Sequence, residues 1–451
     1  MELFGTAGIR GGVDEQVTPE LALSVGRAAG QDGDEFAVGH DGRVTSPALA
    51  DAVAAGLASA GVDVGRVGQV PTPALAYASQ GRRGVMVTAS HNPPTDNGLK
   101  LFADGREYTD EAEAAVERRV ESGVTPTSWD AWGDGLTEDV LPAYRTAVAD
   151  YARQFGADPE RLTVALDCGN GMASVATPQV LRALDAGVVT VEANVDGRFP
   201  GRQSKPTPET LGAFSRFVAD TTADLGVAHD GDADRIVVLD SDGEIVHEDT
   251  VLAMLAEHYT GAATVDDPVV VTTPNASGRI DERVDAAGGR VERVRLGALH
   301  EGIARERRNA TEDTEVVFAA EPWKHVHPAF GGWIDGVASA AVLTRLVAAE
   351  GLDRRRAAIT ERPYRKVSVD CPDSQKPAVM AALESELPDA FPESAVATDH
   401  GVRLTFPDDA WVLVRPSGTE PYVRIYAESD DVDALVEDVR TVVESAIEDA
   451  P

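Results

Sequence analysis

Three short stretches concentrate the groups best able to do chemistry. The first is Val85 to Phe102, VMVTASHNPPTDNGLKLF. Apolar Val85-Met86-Val87 reads as a buried strand, the small and turn-forming residues Thr88 to Pro94 as a loop, and Leu99, Leu101 and Phe102 as a second strand. The Ser90 hydroxyl therefore lies on a loop at a strand end, with His91 beside it and Lys100 further along. A serine is a weak nucleophile until its surroundings activate it. The second stretch, His229 to Arg235, sets Asp230, Asp232 and Asp234 at alternate positions of a glycine-containing turn. Carboxylates this close repel one another unless a cation neutralises them. Their oxygens suit Mg²⁺, which takes a few carboxylates and a phosphate oxygen. An EF-hand is excluded, because Arg235 stands where its glycine belongs and Ser241 where its glutamate belongs. The third stretch is Arg415-Pro416-Ser417-Gly418-Thr419-Glu420-Pro421, with Arg424 following. Such a turn exposes backbone N–H groups, and two arginines add bidentate recognition of phosphate. The last two loops supply what a phosphorylated Ser90 would need.

Holding these loops requires alternating strands and helices. Over the first ~150 residues the pattern gives strand 36–39, helix 47–60, strand 62–67 and helices 109–122 and 140–155, the alternation of an α/β domain. A second unit opens on strand 162–167 and the glycine-rich turn Cys168 to Met172. Helix 173–184, strand 188–192, helix 208–220 and strand 225–228 follow, then the aspartate turn and a hairpin over 236–246. A third repeats the theme with strand 269–272, helix 277–287, strand 291–295, helix 300–307, strand 315–318 and helix 335–349. Residues 355–368 read as a connector. Helix 376–387, strands 401–406, 411–415 and 422–428 and helix 432–448 complete an antiparallel α+β unit. The expected fold class is α/β: three similar mixed α/β domains (1–155, 156–256, 257–358) and a C-terminal α+β domain (359–451). The glycine-rich start Phe4 to Gly11, containing Arg10, is weak evidence alone. The segments His40-Asp41-Gly42-Arg43 and Val70-Pro71-Thr72-Pro73 read as turns between strands.

Of 451 residues, 76 are Asp or Glu and 40 are Lys or Arg, a formal charge of −36. The acids are spread along the chain, and lysine occurs only at positions 100, 205, 324, 366 and 376. Such a field repels nucleic-acid backbones, so no nucleic-acid partner is expected. It resembles the solvated acidic surface of proteins from salt-loving organisms. The Debye length shrinks from about 30 Å at 0.01 M salt to about 3 Å at 1 M. The melting temperature is therefore expected to rise from low to molar KCl; a flat or falling curve removes the halophilic reading. Two distant cysteines, Cys168 and Cys371, suggest neither a disulfide framework nor a metal cluster. No leader or membrane-spanning pattern is visible, so no membrane partner and a cytoplasmic location are expected.

Thr88-Ala89-Ser90-His91-Asn92-Pro93, Asp230-Gly231-Asp232-Ala233-Asp234-Arg235 and Arg415-Pro416-Ser417-Gly418-Thr419-Glu420-Pro421 occur in the order found in the α-D-phosphohexomutase family. The chain resembles that family from Phe4 to beyond Glu428. The resemblance implies four domains around a central active-site cleft. It makes Ser90 a phosphoserine whose phosphate, with Asp230, Asp232 and Asp234, holds one Mg²⁺ per subunit. Lys100 and Arg10, with His91 beside the nucleophile and Arg235 closing the metal motif, would assist proton transfer and stabilise charge. Arg415, Ser417, Gly418, Thr419 and Arg424 would grip the non-reacting phosphate of a hexose phosphate, and a hexose bisphosphate would serve as intermediate and activator. A monomer or homodimer is expected.

One loop departs from the family pattern of Gly-Gly-Glu, a small pair and His. Here it reads Ala319-Ala320-Glu321-Pro322-Trp323-Lys324-His325, in which Glu321 and His325 align as sugar contacts. A cationic Lys324 beside the sugar would disfavour an amino sugar, and Trp323 is expected as a lid on Pro322 or Pro328 if Lys324 points to solvent. The resulting expectation is a phosphomannomutase or phosphoglucomutase. A phosphoglucosamine mutase is the alternative, and a non-catalytic sugar-phosphate-binding protein is the reading from another class.

Overall fold

The computed structural model describes residues 3–5, 8–417 and 420–450. The chain forms two compact units, one of Met1–Leu255 with Val317–Arg356 and the other of Ala256–Val316 with Ala357–Pro451. The first unit contains two sheets. In the seven-stranded one, Arg83–Val87, Glu35–His40, Asp63–Gln69 and Gly135–Thr137 run parallel in that order. Asp96–Ala103 turns back antiparallel on Arg83–Val87, and Ile9–Gly12 adds antiparallel to its far side. That reversal folds the Ser90 loop between two buried strands. Helix Pro19–Ala29, capped by the Thr18 hydroxyl on Leu21 N–H, and helix Ser46–Ser59 cover the sheet. Their apolar faces bury Ala22, Val25, Leu49, Val53 and Leu57 against Phe36, Val38, Val64 and Val85.

The second sheet runs in the order Ile245–Val246, Ile236–Leu239, Leu225–His229, Thr163–Asp167, Gly187–Val191. The last three strands are parallel, and Ile236–Leu239 returns antiparallel from Leu225–His229. The aspartate turn is that return, so its carboxylates are held by two fully buried strands. From residue 317 onward the unit also holds the hairpin that pairs Ala319 with Val326 and Glu321 with Lys324, and helix Gly336–Glu350. In the other unit, Asp267–Thr272 and Arg290–Arg293 pair in parallel. Its C-terminal part is a five-stranded antiparallel sheet ordered Tyr364–Asp370, Tyr422–Glu428, Trp411–Pro416, Val402–Thr405, Ala395–Ala397. Helices Lys376–Ala390 and Val432–Asp449 pack there over Val412, Val414, Val423 and Ile425.

Most expected elements are present, with three differences. The expected connector contains the strand Tyr364–Asp370, an edge strand whose Arg365, Lys366 and Asp370 mask the alternating Val367 and Val369. The helix expected over 208–220 spans only Gly212–Ala219, because Thr207 and Thr210 bond each other's backbone and side chains in a turn. The helix expected over 173–184 is a 3₁₀ turn, Met172–Val175, followed by Thr177–Ala183. Pro178 lacks the N–H that a continuous helix would use. No helix among the described residues is long and apolar enough to cross a membrane.

Candidate active site

Ser90 is fully buried, and its Oγ donates to Asp230 Oδ2 at 2.8 Å. Its backbone is left-handed, φ +50°, a conformation that costs a non-glycine residue roughly 1–2 kcal/mol and must be held by its surroundings. Ala233, inside the aspartate turn, is left-handed as well at φ +61°. Both strained residues lie at the convergence of the two loops, where strain of this kind is associated with function.

Ligand-capable oxygens of Asp230, Asp232 and Asp234 lie within 4.8 Å of one another, and all three side chains are buried. Among the described residues, Asp232 Oδ1 and Asp234 Oδ1 have no hydrogen-bond partner. Burial of unpartnered carboxylate oxygens is costly, and an all-oxygen set of this charge fits a hard divalent cation. Burial and then the charges of Asp234 and Asp232 push the Asp230 carboxyl well above its usual range, the response expected of clustered acids without a counter-ion. For Asp234, burial acts in the same direction, but Lys100, Arg235 and Lys324 outweigh it and hold this carboxyl below the usual range. Thr72, in a segment expected as a turn between strands, instead opens the helix Thr72–Ala78; it donates its hydroxyl to Asp232 Oδ2 at 2.6 Å and its N–H to Asp232 O at 3.1 Å. A contact across 160 positions leaves no local signal in the sequence.

Lys100 projects from the strand after the Ser90 loop and is almost fully buried. Its Nζ lies 3.0 Å from Asp234 Oδ2 and 3.8 Å from both Asp232 Oδ2 and Glu107 Oε1. Burial alone would lower its pKa, but these carboxylates raise it, so Lys100 stays cationic. Arg10 is shifted down by burial, countered by Asp232, and its Nε has no hydrogen-bond partner among the described residues. Arg235 Nε lies 3.6 Å from both Asp230 and Asp234. His91 is pushed down to about 2 by burial and then by Arg235 and Arg10, so it is neutral, with Nδ1 unpartnered among the described residues. His229 has a structural role: its ring is buried between the Thr177 hydroxyl at 3.1 Å and Arg235 O at 2.8 Å, locking the base of the aspartate turn.

In the loop after Ala320, the alternative of a solvent-facing Lys324 with Trp323 as a lid is not met. Lys324 does not face solvent: its Nζ bonds Glu321 Oε2 at 3.2 Å, and its charge reaches Asp234. Trp323 is not a lid on Pro322 or Pro328. It packs on the core of the second sheet, the cluster of Ala165, Leu211, Phe214 and Leu239, and its carbonyl accepts Ile236 N–H at 3.2 Å. A backbone bridge between Arg235 and Lys324 completes the joint, so the loop is an extension of the strand that leaves the aspartate turn. Trp323 adopts φ +69°, unusual for a bulky residue and offset here by its packing on that cluster, where it is partly buried. His325 is buried, with Nδ1 3.1 Å from Ser339 Oγ and Nε2 unpartnered among the described residues. Behind it, Asp335 accepts from Tyr144 Oη, Trp333 Nε1 and Ala338 N–H, anchoring the following helix.

In the other unit, Arg415 and Arg424 stand directly opposite each other on neighbouring strands. Like charges so placed are destabilising unless something between them is negative. Arg415 lies over the Tyr426 ring and Arg424 over that of Tyr422, which orients both guanidinium groups. Ser417 is buried, and Lys376 Nζ ties the loop ends by donating to Ser417 O at 2.7 Å and Glu420 O at 2.6 Å. Gly418 and Thr419 lie outside the described residues.

The first unit thus combines a buried nucleophile-capable hydroxyl, a three-carboxylate cation site and several fixed cations, and the other unit carries a pair of opposed arginines. Family models described as phosphoglucomutase/phosphomannomutase alpha/beta/alpha domain I, alpha/beta/alpha domain II and C-terminal domain match residues 1–126, 142–243 and 367–445. A phosphopentomutase of Thermococcus kodakarensis is 41% identical over 95% of this chain and 94% of its own length. A probable phosphoglucosamine mutase of Methanopyrus kandleri is 39% identical over 99% of both. Among solved structures, a phosphoglucomutase/phosphomannomutase family protein of Burkholderia thailandensis superposes with a TM-score of 0.86 at 25% identity, covering 100% of this chain and 98% of its own. By these matches the chain belongs to the α-D-phosphohexomutase family, and so to the isomerases.

Proposed function

We propose that the chain interconverts hexose 6-phosphate and hexose 1-phosphate through phospho-Ser90, within the four domains 1–155, 156–256, 257–358 and 359–451. The observation that carries this reading is the hydrogen bond from Ser90 Oγ to Asp230, inside a buried set of three carboxylates flanked by Lys100. Phosphoryl transfer needs positioning and charge neutralisation above all. Asp230, Asp232 and Asp234 would hold Mg²⁺, which when bound would supply positive charge against the phosphoryl group. Lys100, kept protonated, and Arg10 stabilise the remaining charge as the phosphoryl passes from Ser90 to the sugar. Arg415, Ser417, Gly418, Thr419 and Arg424 hold the phosphate that is not reacting. The bisphosphorylated sugar then presents its other end and returns a phosphoryl to Ser90.

Glucose or mannose phosphate is the first reading for the sugar. Glucosamine phosphate is a second, favoured by one observation: Glu321 pairs with Lys324, which removes the charge-based objection to an amino sugar. A panel of glucose, mannose, glucosamine and ribose phosphates tests both, and the neutral hexose phosphates are expected to give the highest kcat/KM. In Lys324→Met, Glu321 loses its cation and the kcat/KM ratio should move towards glucosamine phosphate by about 3–10-fold, as like-charge pairing and its removal set specificity. An unchanged ratio places the pair away from the sugar. Negligible turnover of every member of the panel by phosphorylated protein would instead support a non-catalytic binding protein.

A further inference from the structure

The turn His40 to Arg43 was legible only as a connection between strands, yet its arginine is fully engaged. Arg43 is buried at 1% exposure, and all five N–H groups of its guanidinium are used. Nε donates to Asp41 Oδ2 at 3.1 Å. Nη1 donates to the carbonyls of Pro93 at 2.6 Å and Asp96 at 2.9 Å, and Nη2 to those of Ser90 and Asn92, both at 2.8 Å. Four of the five bonds therefore grip the backbone of the loop that carries Ser90. The acid completes a cage. Asp41 Oδ1 accepts from Ser46 Oγ at 2.6 Å, and Oδ2 accepts from Thr88 Oγ1 at 2.7 Å. Thr88 Oγ1 in turn accepts the Ser90 N–H at 2.9 Å. Ser90 is thus held by its carbonyl and its N–H at once, and its left-handed backbone is the conformation so fixed. The Phe199 ring covers the guanidinium with its centroid 5.2 Å from Cζ.

Stability alone does not call for this arrangement, since a buried ion pair is often replaceable by apolar packing at no loss. A planar fork with five fixed donors instead specifies geometry. We propose that Arg43, acting with Asp41 and Thr88, is the positioning residue that fixes Ser90 Oγ against the cation-binding carboxylates during phosphoryl transfer. The inference rests on the phosphoserine reading above. Arg43 touches neither the sugar nor the carboxylates of the aspartate turn in any contact described, so its effect should appear in the rate of transfer and not in binding.

Arg43→Lys keeps the charge but offers three donors for five acceptors. In the full-length, Mg²⁺-loaded enzyme, kcat should fall about 30–100-fold, the scale of a displaced reacting group. KM should stay within about threefold, and Mg²⁺ affinity by calorimetry should be unchanged, because Asp230, Asp232 and Asp234 are untouched. Thr88→Val is isosteric, removes both the acceptor of the Ser90 N–H and the donor to Asp41 Oδ2, leaves the bonds of Arg43 in place, and should lower kcat about 5–10-fold at constant KM. It carries the test if Arg43→Lys does not fold. Full kcat in folded Arg43→Lys, full kcat in Thr88→Val, or a parallel loss of Mg²⁺ affinity overturns the proposal. Ser90→Ala, assayed alongside, separates the two levels. An active Ser90→Ala protein defeats the phosphoserine reading itself, whereas an inactive one beside a fully active Arg43→Lys defeats only the positioning role.

Discussion

Ser90→Ala is expected to lower kcat by about 10⁴-fold or more, since without the hydroxyl there is no acceptor for the phosphoryl group. The substitution should leave sugar-phosphate binding by Arg415 and Arg424 intact. It is not free for the fold, however. A hydroxyl on a surface loop would cost little to remove, but Ser90 is fully buried and donates to Asp230. Its removal leaves that carboxylate oxygen short of a partner, which costs roughly 1–3 kcal/mol for a buried polar group. Mg²⁺ on the same oxygens should recover part of this, so the melting temperature of Ser90→Ala is expected to be more Mg²⁺-dependent than that of the wild type. Intact mass gives the independent readout: wild-type protein incubated with a hexose bisphosphate should gain the mass of one phosphoryl group, and Ser90→Ala should gain none. Unimpaired turnover by Ser90→Ala, from material free of wild type, would end the phosphoserine mechanism.

The residues that react were more legible than the residues that hold them. Asp230, Asp232 and Asp234 are conspicuous because three acids in one turn make physical sense only with a cation, and buried strands on both sides place that turn indoors. Ser90 could be found from the break between two apolar runs. Thr72, Arg43 and Lys376 could not, because each acts on a loop distant in the chain and carries an ordinary turn or helix residue type. The orientation of Trp323 and Lys324 was hidden for a different reason. Both stand where the family keeps small residues, and composition alone suggested bulk and charge facing the sugar. The left-handed backbone at Trp323 turns the ring onto the second sheet instead, and Lys324 finds Glu321 across the hairpin. The edge strand Tyr364–Asp370 escaped because its outward charges outweigh the alternation of Val367 and Val369 in any local reading.

Asp232→Asn should have the next largest effect, and its signs separate a cation site from an acidic turn that merely caps two strands. Asp232 Oδ2 is occupied by the Thr72 hydroxyl, so Oδ1, unpartnered among the described residues, is the atom left for a cation. The amide can keep Thr72 in one orientation and turn an NH₂ toward the cation. In the other it offers a neutral oxygen while Thr72 accepts from the NH₂. Either way one hard anionic ligand is lost. Apparent Mg²⁺ affinity is expected to fall about 10–100-fold and kcat/KM at fixed Mg²⁺ about 10²–10³-fold, with partial recovery as Mg²⁺ is raised. Stability should move the opposite way. Without Mg²⁺, deleting one of three mutually repelling charges should hold or raise the melting temperature, even allowing for the weakened contact of Lys100 with Asp232 at 3.8 Å. The rise in melting temperature that Mg²⁺ produces in the wild type should shrink in the variant, because binding energy adds to stability only in proportion to affinity. A turn that is only structural predicts the reverse on each count: a lower melting temperature without Mg²⁺, an unchanged response to it, and activity lost only to the extent that the fold is lost.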